Sequence, residues 1–249
     1  VSRKRILITG ASSGLGEEMA RQFAAKGRDL ALAARRTERL EELRDELVKA
    51  NPGVKVAVRA LDVNDHDAVF KIFGEFRTEL GGIDRVIVNA GLGKGQPVGT
   101  GYFYANKQTA ETNFVAALAQ CEAAMEIFRD QNAGHLVVIS SMSAMRGMPK
   151  NLSTYAATKA GISTLAEGIR ADTLKTPIKV TTVYPGYIRS EMNDKVKKTP
   201  LMVDTVPGVQ AMVKAIEREV GSACAPAWPW TLLGFAMRNL PLGIVAKMS

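Results

Sequence analysis

Only two cysteines and two histidines occur in the 249 residues. Cys121 and Cys224 lie far apart and show neither C-x-x-C nor metal-ligand spacing, so buried free thiols are expected and a disulfide is not. His66 and His135 have no Cys, Asp or Glu at ligand spacing, which predicts caps or surface positions and no protein-built metal site. No apolar run has the length of a spanning helix, and Val1-Ser2-Arg3-Lys4-Arg5 leads directly into a strand-like segment, without room for a signal peptide. A soluble, cytoplasmic protein is expected. Internal repeats, low-complexity tracts and linker-like stretches are missing as well, which favours a single domain over 1–249. The net charge is +8, yet its Lys and Arg form neither a basic tail nor a patch interleaved with aromatics. That argues against a nucleic-acid module, and a phosphorylated small molecule is reason enough for the charge.

Hydrophobic residues make up 46% of the chain, enough for a large core. Short β-rich runs recur at Arg5 to Thr9, Leu30 to Ala34, Val54 to Val58, Arg85 to Val88, His135 to Ser140 and Lys179 to Tyr184. Between them lie helical stretches, Leu15 to Lys26, Glu38 to Ala50, Asp65 to Leu80, Asn106 to Phe128 and Tyr155 to Leu174. This alternation predicts an α/β fold with a parallel sheet covered by helices. After Pro185-Gly186 the pattern loosens over Tyr187 to Asp204 and resumes as a helix from Val206 to Glu219, so a lid is expected at about 187–219. The most apolar segment, about 223–249, holds both tryptophans, and its prolines exclude one long spanning helix. It reads as a pocket wall or subunit contact ahead of an interfacial membrane anchor.

Three local patterns carry chemistry. The first strand ends in Thr9-Gly10-Ala11-Ser12-Ser13-Gly14-Leu15-Gly16 and opens into a helix. Glycines there permit a tight turn and close backbone approach to a phosphate, which the helix N-terminus attracts. Gly10, Ser12, Ser13, Gly14, Leu15 and Gly16 are therefore candidate cofactor contacts. The second strand ends in Arg35-Arg36, where a grip on a ribose 2′-hydroxyl would use an acid; two arginines suit a 2′-phosphate, so NADP(H) is expected over NAD(H). Finally, Tyr155 and Lys159 stand at i and i+4, on one helix face. A free tyrosine has a pKa of about 10 and needs a neighbouring positive charge to shuttle protons near neutrality, which Lys159 can supply.

With these residues in order, the chain resembles the short-chain dehydrogenase/reductase family from about Arg5 to Met192. The T-G-x-x-x-G-x-G spacing matches at Thr9, Gly10, Gly14 and Gly16. The resemblance implies a Rossmann-type doubly wound three-layer sandwich with a central parallel sheet. It implies further that Asp62 holds the adenine amino group with Val63 beside the ring, and that Asn89-Ala90-Gly91 passes beneath the cofactor. Asn113 would organise a water relay to the lysine, Ser141 would be the catalytic serine with Ser143 as a second hydroxyl nearby, and Pro185, Gly186 and Ile188 would approach the nicotinamide. Tyr155 and Lys159 then serve both catalysis and cofactor binding, and Ser190 can offer the cofactor a hydroxyl. Homodimers or homotetramers through the helices 106–128 and 155–174 are implied too. The C-terminal part lacks the family's usual ending, so the resemblance is silent on substrate. Met142, Met145, Met148 and Met192 are candidates for an apolar pocket.

The expected activity is hydride exchange between NADP(H) and an apolar carbonyl or secondary alcohol, with Asn113, Ser141, Tyr155 and Lys159 as the catalytic set. A 3-oxoacyl-thioester reductase is the alternative enzyme, and a non-catalytic dinucleotide-binding regulator the alternative of another class.

Overall fold

The computed structural model describes residues 3–191 and 201–246. Seven strands form one all-parallel sheet in the order β3-β2-β1-β4-β5-β6-β7. They are β1 (Arg5–Thr9), β2 (Asp29–Ala34), β3 (Val56–Ala60), β4 (Arg85–Val88), β5 (Gly134–Ile139), β6 (Ile178–Pro185) and β7 (Ser222–Ala225). Every residue of β2, β4 and β5 is buried, as expected for parallel strands covered on both faces. Alternate side chains enter opposite cores. Leu7 packs with Phe73, Phe76, Val86, Phe128 and Ile162 on one face, while Ile6 and Ile8 join Met19, Phe23, Leu43, Val137 and Met212 on the other.

The first face is covered by α3 (His66–Leu80), α5 (Ala116–Gln131) and α6 (Ser153–Asp172), the second by α1 (Gly14–Ala24), α2 (Thr37–Ala50) and α7 (Thr205–Glu217). Local signals set the ends. The Asp65 carboxylate accepts from Ala68 N at 3.0 Å to cap α3, and Gly81, at φ +70°, ends it in the left-handed region.

The helix expected over Asn106 to Phe128 is broken into α4 (Phe103–Ala110), a π-helical turn at Glu111–Val115, and α5. A 3₁₀ turn at Met142–Met145 follows β5. The C-terminal segment supplies β7, α8 (Trp230–Asn239) and α9 (Leu242–Val245). α7, inside the stretch expected as a lid, buries Val209, Met212, Val213 and Ile216 in the core. It is thus a layer of the sandwich, and residues 192–200 of that stretch, Met192 included, lie outside the described residues.

Strand order reverses between β1 and β4. At such a switch point the loops leaving the carboxyl ends of the two strands diverge and open a crevice. The loops that begin at Gly10 and Asn89 flank it.

Candidate active site

The glycine loop is built for close approach. Gly10 and Gly14 sit at φ +64° and +57°, in the left-handed region that glycine alone enters without cost. A Cβ on Gly10 would lie 2.9 Å from Ala90 Cα, and one on Gly16 would collide with the Gly10 carbonyl. Asn89 braces the turn, its amide donating to Thr9 O at 2.9 Å, while Asn89 N and Ala90 N donate to Thr9 Oγ1 at 3.1 and 3.2 Å. Thus Asn89 and Ala90 act through the glycine loop, and Gly91 clears space beyond it, since its Cβ would stand 3.2 Å from Asn113 Oδ1. Ser13 precedes α1 with an extended backbone, and its side chain leaves the helix amides uncapped. That cradle, which side chains would fill, fits a dinucleotide pyrophosphate.

After β3, Val63 is buried and Asp62 exposed, with Asp62 Oδ1 accepting from Asn64 N and Nδ2 at 3.1 and 3.0 Å. The two arginines after β2 separate. Arg36 donates to Ser12 Oγ at 3.2 Å, to Ser13 Oγ at 2.5 Å and to Glu191 at 3.2 Å. Arg35 is exposed and, among the described residues, has no hydrogen bond or ion pair. Arg39, which the sequence presents as ordinary helix surface, joins Arg36 instead through Glu191, at 2.5 Å.

The catalytic candidates converge near the end of β5. Ser141 and Ser140, adjacent in sequence, take opposite jobs because successive residues of an extended chain face opposite ways. Ser140 is buried and donates to Lys159 O at 2.9 Å while accepting from Ser163 Oγ at 2.7 Å, fastening α6 to the strand end. Ser141 Oγ accepts from Ser143 N at 3.1 Å, and its hydroxyl lies near enough to the Tyr155 phenol to favour the phenolate. Of the two hydroxyls nearby, Ser141 is therefore the one that meets the tyrosine. One turn on, Lys159 is buried, its Nζ donating to Ile139 O at 2.9 Å and lying 5.9 Å from the Tyr155 ring centroid. Asn113 is placed by the π-helical turn, a distortion frequent at functional sites. Its amide pairs both ways with Leu92, at 2.7 and 2.8 Å, and reaches Thr158 Oγ1 at 3.4 Å.

Burial pushes the Lys159 ammonium down to about 8. Burial also pushes the Tyr155 phenol up, partly offset by Ser141. In the chain alone the desolvation of the phenol dominates, so the net shift is upward rather than the lowering expected from Lys159.

The C-terminal segment closes one side. A Cβ on Gly186 would collide with the Trp230 indole, and Tyr187 meets that ring edge-on at 5.3 Å. Gly234 of α8 packs on Met142, which is buried, while Met145 and Met148 are half-buried. Pro185 is buried in β6, and Ile188 is buried against Gly208 of α7 and pairs with Val203. Trp230 therefore lies against the Pro185-Gly186 turn, whereas Trp228, Leu232 and Phe235 remain exposed on the other face of the segment. The sequence offers the aromatic segment as a pocket wall or subunit contact, and the fit of the Trp230 indole against Gly186 decides which tryptophan faces the turn.

The histidine and cysteine expectations divide. His66 opens α3 and is exposed. His135, expected at a cap or the surface, is instead fully buried in β5 at the opposite end of the sheet. Its Nδ1 accepts from Arg85 Nε at 2.8 Å and its Nε2 meets Thr181 Oγ1 at 2.8 Å. Burial and the neighbouring Arg85 hold its pKa well below the ordinary value. Cys121 is buried, its thiol pushed up to about 12 by burial, and Cys224 is half-buried; both are free. Among the described residues no cluster of His, Cys, Asp and Glu has metal-binding geometry, and no helix is long and apolar enough to cross a membrane.

Comparison with known proteins agrees with this architecture. The pattern of the short chain dehydrogenase family matches residues 4–201. An uncharacterized oxidoreductase of Mycobacterium tuberculosis is 56% identical over 241 residues, covering 97% of this chain and 95% of that protein. A short-chain type dehydrogenase/reductase of Mycobacterium marinum, 29% identical, superposes with a TM-score of 0.80 over 89% of this chain and 92% of its own. An alcohol dehydrogenase of Thermococcus sibiricus, complexed with 5-hydroxy-NADP, reaches the same score at 24% identity, covering 89% and 95%; that likeness speaks to the fold. With a family match over most of its length and the strand order and loops described above, this chain belongs to the short-chain dehydrogenase family.

Proposed function

We propose that the chain is an NADP(H)-dependent oxidoreductase that interconverts a carbonyl and a secondary alcohol, with Asn113, Ser141, Tyr155 and Lys159 as its working set. The observation that carries this reading is the gathering of Tyr155 and Lys159, one turn apart on α6, at the strand end that leads into Ser141, with the buried lysine held by the Ile139 carbonyl and, among the described residues, without a carboxylate partner. Two hydroxyls, those of Ser141 and Tyr155, brought to one strand end can hold one substrate oxygen between them.

A bound nicotinamide supplies the hydride. The chain's own part is to position the oxygen and move a proton. Tyr155 gives its proton to the carbonyl oxygen during reduction and takes one during oxidation. Its raised pKa keeps the phenol protonated near neutrality, the form needed in the reductive direction. Ser141 Oγ accepts from Ser143 N, which orients the hydroxyl, and its one proton would turn to the substrate oxygen and stabilise charge there. Lys159 would hold the nicotinamide ribose and favour the phenolate electrostatically in oxidation, and Asn113 would link the lysine to solvent. Gly10, Ser12, Ser13, Gly14, Leu15 and Gly16 would cradle the pyrophosphate, Asp62 and Val63 the adenine, Asn89 to Gly91 the underside, and Pro185, Gly186, Ile188 and Ser190 the nicotinamide end. Arg36 would take the 2′-phosphate.

The substrate is apolar in this reading, supported by Trp230, Met142, Met145 and Met148 around the site. Subunits would associate through α4, α5 and α6 in a cytoplasmic homo-oligomer, which the exposed Phe103, Tyr104, Phe114 and Val115 support. The test is NADPH oxidation, followed by absorbance over ketones, aldehydes, quinones and 3-oxoacyl thioesters, beside NADH. Turnover that favours NADPH is expected; tight NADPH binding without turnover on any class would return the chain to the non-catalytic alternative.

A further inference from the structure

One carboxylate sits where the proposed cofactor's extra phosphate would go. Glu191 Oε1 accepts from Arg39 Nη1 at 2.5 Å and Glu191 Oε2 from Arg36 Nη1 at 3.2 Å, so one carboxylate lies between two guanidinium groups. The second face of Arg36 is turned to the glycine loop, through Ser12 and Ser13. Arg36 and Arg39 stand three apart at the start of α2, on one side of its first turn. Glu191 comes from the far side of the crevice, on the segment after β6. That segment crosses over the glycine loop: a Cβ on Gly14 would touch Ser190 Cβ at 3.4 Å. All three charged side chains are exposed, so solvent and a ligand both reach them.

Two guanidinium groups that converge on one carboxylate provide the donor geometry for a phosphomonoester, which is larger and carries more charge. We infer that Glu191 is an internal stand-in for the 2′-phosphate of the cofactor, held by Arg36 and Arg39, and that it limits the preference for NADP(H) by competing for that pair. The inference rests on the NADP(H) reading above and assigns two residues beyond it. Arg39, rather than Arg35, is the second arm of the phosphate site, and Glu191 is its built-in competitor. The carboxylate is held firmly ionised by Arg39 first and Arg36 second, so protonation does not vacate the site at neutral pH. A 2′-phosphate must displace it, and in doing so it releases the segment that carries Ser190 from the start of α2. NADH, with a hydroxyl at that place, leaves the carboxylate where it is.

The experiment is equilibrium binding of NADPH, NADH and adenosine 2′,5′-bisphosphate to wild type, Glu191→Gln and Arg39→Ala, with a thermal melt of each as a check on folding. Glu191→Gln should bind NADPH and the bisphosphate about three- to five-fold more tightly, on the scale of one exposed charge contact, with NADH unchanged within about 1.5-fold. Arg39→Ala should weaken the two phosphorylated ligands by a similar factor and again spare NADH. Equal shifts for NADPH and NADH in Glu191→Gln would mean that the residue only positions its segment, and would overturn the inference. So would an unchanged or weakened NADPH affinity. A wild type that binds NADPH and NADH equally defeats the cofactor reading on its own. The competition then stands only if Glu191→Gln creates a preference for the phosphorylated ligands, and falls if it does not.

Discussion

Both ends of one sheet bury charge, and they treat it in opposite ways. At the amino end Arg85, nearly inaccessible, bonds Glu217 and the neutral His135, while Arg3 and Arg28 hold Glu219 and Glu217. Every formal charge there has a partner of the other sign. At the carboxyl end Lys159 is also buried but, among the described residues, is held only by the Ile139 carbonyl, and burial depresses its pKa to about 8. A paired charge is locked, and removing one partner strands the other. An unpaired charge destabilises the fold, but it remains available to a ligand. The contrast separates charge that secures the fold from charge kept for chemistry.

The largest expected effect falls at the carboxyl end. Tyr155→Phe keeps the ring and its packing and removes only the proton donor, so turnover should drop by about a thousand-fold while NADPH affinity stays within about two-fold, read by steady-state kinetics and fluorescence titration. At the amino end, Arg85→Met should cost about 3 kcal/mol of stability, because it leaves Glu217 and the Arg3–Glu219 pair without their buried partner; chemical denaturation measures this. Its turnover per folded molecule should remain near wild type. A variant at either end that loses both properties together would break the comparison.

Smaller effects appear in pH dependence. His135 has a folded-state pKa below its ordinary value of 6.5, so the unfolded chain takes up the proton first. Its contribution is present above that value and is lost as pH falls. From about pH 6.5 to 5.5 stability should decline by about 1 kcal/mol, and His135→Gln should flatten the slope. Glu217, held below its ordinary value with Arg85 beside it, adds its own loss only at lower pH. Lys159 acts with the same sign as His135, at higher pH. Its folded-state value of about 8 lies below the ordinary 10.5, so stability should rise as pH climbs from about 8 to 10. Above about 10 the raised Tyr155 works against the rise, because the unfolded phenol ionises first.

Much of this arrangement was legible in the sequence, for local reasons. β1, β2, β4 and β5 are continuous apolar runs, and Gly10, Gly14 and Gly16 announce a turn that side chains would block. What escaped depended on contacts distant in sequence. β7, Ser-Ala-Cys-Ala, lacks branched residues and is fixed by pairing with β6, Ala225 opposite Pro185. His135 reads as polar and exposed until Arg85, fifty positions earlier, is seen beside it. The break at Glu111–Val115 has no proline or glycine to mark it. Arg39 resembles any surface arginine until Glu191 arrives from the other side of the crevice. Ser140 and Ser141 could be told apart only by the direction in which each side chain points.

Lys159→Met tests the account most directly, since the central claim is that the buried lysine trades stability for chemistry. Methionine fills the same space without the desolvated charge, and one preparation yields both readouts, unfolding free energy at pH 7 and NADPH turnover on a responsive carbonyl. The account predicts a gain of about 2 kcal/mol together with a loss of turnover of at least about a hundred-fold. A less stable protein, or one that keeps its turnover, would contradict it.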